Sequence, residues 1–151
     1  MKIVLHWILF LGQTLGDAMI LSHLVPMLRQ FITSGLDGKP SPKIFVFAAL
    51  GITVIQVCYW LDLHWFATLR LRYIPVLGNV ILFLARLNFI FAGATFSAVY
   101  LVRFKEVQMS PLEFALLFAV LFSMFCYTLE LERLGGAFVK RNEQAAPENN
   151  L

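Results

Sequence analysis

Four long apolar stretches, at about 3–28, 44–61, 76–102 and 112–129, are separated by short polar connections. Each is near or above the roughly 18–20 residues that a helix needs to cross the hydrocarbon core of a bilayer. Runs of this length read as four transmembrane helices. The pattern predicts an all-α, integral membrane four-helix up-down bundle over 1–139. Its helices fall at about 3–30, 42–66, 75–103 and 111–134, and the polar segment 140–151 forms a disordered tail.

Punctuation supports the same count. Ser41-Pro42, Ile74-Pro75 and Ser110-Pro111 place proline where a helix starts, and Ser110 to Glu113 matches the S-x-x-E capping box. Gly35 and Gly38 are expected to end the first helix, and Gly135-Gly136 the fourth. Pro26 falls near the end of the first helix, where a kink costs least. That first run is longer than the h-region of a signal peptide and has no cleavage site before a polar start, so it is expected to stay as a permanent helix.

Composition agrees. Hydrophobic residues make up 60% of the 151 positions, charged residues 14%, and the mean hydropathy is +0.77. Soluble domains are about 45–50% apolar. The net charge of +3 comes from residues that bracket the apolar runs, which suits lipid headgroups and argues against nucleic acid. Cys58 and Cys126 lie inside apolar runs without CxxC spacing, so neither a disulfide framework nor a zinc site is expected. Arg70 and Arg72 in the tight second connection favour a cytoplasmic N-terminus and C-terminus in a bacterial inner membrane. Trp7, Tyr59, Trp60, Trp65 and Tyr73 would then form an aromatic belt near the same face.

The polar residues inside these runs carry the chemistry. An aspartate at the middle of a spanning helix costs about 2.5–3.5 kcal/mol, so Asp17 requires a partner or a cavity. Gln13 and Asp17 share a stripe with His6 on the first helix, beside the small residues Gly12 and Gly16. Asn79, Arg86 and Gly93 recur at seven-residue steps on the third. Arg86 is the basic residue at comparable depth. The expectation is an intramembrane cluster of Gln13, Asp17, Gln56, Asn79 and Arg86 with an Asp17–Arg86 ion pair at its centre, and Gly12, Gly16 and Gly93 as helix-packing positions.

Leu5-His6-Trp7 and Leu63-His64-Trp65 repeat a short motif, and two imidazoles on facing helices could ligate haem b or a metal. His64 lies beyond Asp62, outside the expected hydrocarbon, so neither cofactor nor metal is the leading expectation. No Ser/His/Asp, Cys/His or paired-carboxylate constellation appears, and the residues do not point to an enzyme.

Gly16, His23, Pro26 and Leu28 follow the pattern G-x6-H-x2-P-x-L. In this the chain resembles the first helix of an uncharacterised bacterial four-helix membrane family grouped with CopD-like proteins. The segment Phe47 to Gln56 is similar to that family's second helix, so the likeness covers about the first 60 residues. It implies a four-helix bundle. Copper, which CopD-like relatives suggest, would need a Met/His cluster that this chain lacks.

With no soluble domain expected, the leading functional expectation is a small accessory or assembly subunit. It would pack against other membrane proteins, as a homo-oligomer or within a larger complex in the lipid bilayer. The alternatives left open are a small transporter or channel using Asp17 and Arg86, and a haem- or metal-binding membrane protein.

Overall fold

The computed structural model describes residues 2–34, 42–65, 73–103 and 111–139. Among them the chain is helical apart from Tyr73 and Ile74: α1 (Lys2–Ser34), α2 (Pro42–Trp65), α3 (Pro75–Arg103) and α4 (Pro111–Val139). Proline opens α2, α3 and α4, where its missing N–H would have had no helical partner. Each helix contains an apolar span, at Val4–Pro26, Phe45–Trp65, Pro75–Ala98 and Phe114–Val139. Four such helices make the chain an integral membrane protein with an all-α fold.

Two helices outrun the bounds expected from their apolar runs. α1 passes the expected end near 30 and reaches Ser34, the residue before Gly35. α4 runs through Gly135-Gly136 to Val139, because Gly135 is a packing residue here and not a stop signal. The tail at 140–151, Ser41 and Ser110 lie outside the described residues.

The bundle consists of two antiparallel hairpins. α1 packs on α2 and α3 on α4, and the hairpins meet mainly through α2 and α4, with a smaller contact between α1 and α4. Glycine sets the closest approach inside each hairpin. A Cβ on Gly16 would lie 3.0 Å from the Gly51 carbonyl oxygen, and one on Gly12 would lie 2.8 Å from Cys58 Sγ. In the second hairpin a Cβ on Gly78 would lie 2.8 Å from the Gly135 carbonyl oxygen. Small residues at a helix interface allow backbones to meet, which compensates for the missing hydrophobic drive in lipid. The Ile74 N–H donates to Phe138 O at 3.1 Å, tying the start of α3 to the end of α4.

The interior combines an apolar cluster of Ile20, Ile55, Ala85, Ala92, Val120, Met124, Tyr127 and Leu131 with fully or nearly buried polar groups. Large apolar side chains such as Leu11, Leu15, Phe83, Ile90 and Phe122 point outward. This arrangement suits a chain whose surroundings are hydrocarbon.

Candidate functional site

Near one end of the bundle, three helices bring four ionisable side chains together. His6 stands close to the start of the α1 span, Asp62 one turn before the end of α2, and Glu130 and Arg133 at i, i+3 on α4. Antiparallel pairing of α1 with α2, and parallel pairing of α2 with α4, places them at one depth. His6 Nδ1 and Asp62 Oδ1 are 2.6 Å apart, with both side chains fully buried. Arg133 Nη2 donates to Asp62 Oδ2 and lies 3.4 Å from Glu130 Oε1. Glu130 is 1% exposed, and neither of its carboxylate oxygens has a hydrogen bond among the described residues.

Asp62 is the hub, with one oxygen facing the imidazole and the other the guanidinium. Two carboxylates in so dry a place repel each other, and one guanidinium balances only one of them. The cluster therefore binds α1, α2 and α4 into one body, and loss of a single partner leaves a buried charge exposed to hydrocarbon.

A second polar layer lies further along the interior. Gln56 Nε2 donates to Ser123 Oγ at 3.1 Å, and its Oε1 accepts from Trp60 Nε1 at 3.0 Å. Thr14 Oγ1 and Tyr127 Oη are 3.1 Å apart. Gln13 is fully buried with both amide atoms unbonded among the described residues, and the same holds for Asp17 Oδ1. Between α3 and α4, Asn88 Nδ2 donates to Met124 O and Thr128 Oγ1, at 3.2 and 3.1 Å.

The expected cluster divides in two. Gln13, Asp17 and Gln56 face the interior, whereas Asn79 and Arg86 are exposed on the outer face of α3. Asp17 and Arg86 do not pair, because α1 and α3 form no substantial contact and Arg86 points away from the bundle. Gly12 and Gly16 pack as expected. Gly93 does not, since a Cβ there would meet nothing within 4 Å. His6 and His64 are not brought together: His64 stands two residues after Asp62, about 200° further round α2, and is exposed.

The sequence reading missed Asp62, Glu130 and Arg133. The apolar runs read from the sequence stop at 61 and 129, one residue short of Asp62 and of Glu130. The signal was present in Leu134 to Val139, where the apolar pattern resumes after Arg133. The paired carboxylates absent from any local motif are assembled across helices, by Asp62 and Glu130.

Comparison of the chain with protein-family models, curated proteins and solved structures yields no match. The CopD-like resemblance rests on the residues quoted for it.

Proposed function

We propose that the protein is an accessory or assembly subunit, docked through the outer face of α3 against a membrane helix of a different protein. That helix carries an Asp or Glu at mid-depth. Arg86 carries this reading. It lies at the centre of the Pro75–Ala98 span, is exposed, and makes no ion pair or hydrogen bond among the described residues. Eleven residues separate it from Pro75, which at 1.5 Å per residue is about 16 Å, too far for its side chain to reach headgroups easily. A cation there costs about 2.5–3.5 kcal/mol unless a partner neutralises it.

Charge complementarity selects a different protein rather than a second copy. Among the acids whose side chains are described, the exposed one is Glu132, near the end of α4 and far from mid-depth, while Asp17, Asp62 and Glu130 are buried. Two copies apposed on α3 would set arginine against arginine. Asn79 and Gly93, one heptad either side of Arg86, provide a hydrogen-bonding group and room for close approach.

Transport is less well supported. Beyond Asp17 the polar groups of α1 turn back on their own helix: Ser22 Oγ donates to Met19 O at 2.9 Å, and His23 Nδ1 lies 2.9 Å from the same carbonyl. Through Pro26, the last residue of α1 whose side chain is described, the polar column does not extend into the interior beyond Asp17.

The test is site-directed photocrosslinking from Gly93 in the native membrane, with Leu11 on the outer face of α1 as control. A discrete adduct with a different membrane protein is expected at Gly93, lost in Arg86→Glu and restored when the partner's intramembrane carboxylate is changed to Arg. An adduct between two copies of this chain, or one indifferent to Arg86→Glu, overturns the proposal.

A further inference from the structure

His6, Asp62 and Glu130 come from three helices, yet each offers a donor atom within 4.8 Å of those of the other two. Two atoms on one ion stand at most twice a bond length apart, or about 4–4.4 Å for bonds of 2.0–2.2 Å. Small side-chain rotations would bring all three onto a single ion.

Glu130 supplies the second observation. Its carboxylate is 1% exposed and aimed into this space, and neither oxygen receives a hydrogen bond from the described residues. Arg133 Nη2, at 3.4 Å, is engaged with Asp62 instead. Among the described residues this buried carboxylate has one cation nearby and no hydrogen-bond donor, so it is poorly compensated. We infer that His6, Asp62 and Glu130 form a binding site for one divalent transition-metal ion of the manganese, iron, cobalt or zinc class.

The donor set defines that class. One imidazole and two carboxylates suit borderline-to-hard dications, whereas soft copper(I) would call for thiolates or thioethers. Cys58 and Cys126 are not part of the set. A dication would supply Glu130 with the positive charge that Arg133, engaged with Asp62, does not. Arg133 then serves as an outer partner that holds Asp62 in orientation while the ion occupies the space beside Glu130. Coordination requires deprotonated ligands, so binding releases any protons they carry.

The test uses the full chain in mild detergent, stripped with chelator and titrated with cobalt(II), whose visible absorption reports ligand geometry. Bound metal is counted after desalting. About one ion per chain is expected, with Glu130→Gln and Asp62→Asn weakening affinity by more than about 100-fold. Glu132→Gln, on the exposed side of the same helix, leaves binding unchanged. A wild-type chain that takes up no cobalt, manganese or zinc overturns the inference. So does a Glu130→Gln chain that keeps the ion, and the wild-type measurement decides even where a variant fails to fold.

Discussion

Gly16 and Gly51 meet backbone to backbone. A Cβ on Gly51 would lie 2.9 Å from the Gly16 carbonyl oxygen, and one on Gly16 would lie 3.0 Å from that of Gly51. Neither carbonyl can move without shifting its helix. Gly51→Ala is therefore expected to destabilise the protein by about 1–3 kcal/mol, as overpacking does, despite alanine's better helix propensity. Gly93→Ala, with open space around it, should be neutral or slightly stabilising. Reversible unfolding in mixed micelles would separate the two, and equal effects would discount the crossing.

The hub role of Asp62 leads to a larger effect. Arg133→Gln leaves the Asp62 and Glu130 carboxylates buried together without their cation, so a loss of about 3–5 kcal/mol is expected. Combining it with Asp62→Asn should recover part of that loss, because one of the two uncompensated carboxylates goes too. A double variant as unstable as the sum of the singles would contradict the shared buried pair.

Asp17 and Arg86 are expected to behave independently. They sit on helices without substantial contact and share no partner, so Asp17→Asn and Arg86→Gln should add to within about 0.5 kcal/mol in the isolated protein. A larger coupling energy would show that the two side chains sense each other.

Asn88 provides a milder test. Asn88→Leu removes two hydrogen bonds to α4 while adding apolar bulk at a half-buried position. Interhelical bonds in membranes contribute about 0.6 kcal/mol on average and about 1.7 at most. A destabilisation in that range is expected by the same unfolding assay, and a stabilised variant would argue against those bonds.

Much of the fold was legible because lipid imposes a simple rule. Four apolar runs had to be four helices, and proline marked the starts of three. The direction each helix faces was harder to read. On α3, Gly78, Ala85 and Ala92 form one seven-residue stripe, and Asn79, Arg86 and Gly93 form another a single residue later, about 100° away. In a soluble protein the polar stripe would be the outer one. In lipid the intuition reverses, and Arg86 was placed inside. The small-residue stripe faces inward instead, with Gly78 letting α3 approach Gly135 closely and Ala85 and Ala92 buried. The ionic cluster was hidden for a different reason: His6, Asp62 and Glu130 are far apart in sequence and share only a depth, which depends on which helices become neighbours.

The pairing of α1 with α2 and of α3 with α4 has a consequence for how the molecule comes apart and together. Each half carries its own tight backbone crossing, whereas the bridges between halves include a glutamine–serine bond and a carboxylate–guanidinium pair. Two separately expressed halves, divided in the connection between α2 and α3, should each insert alone and then recombine. Under stress the chain should part along that seam first, with its halves intact.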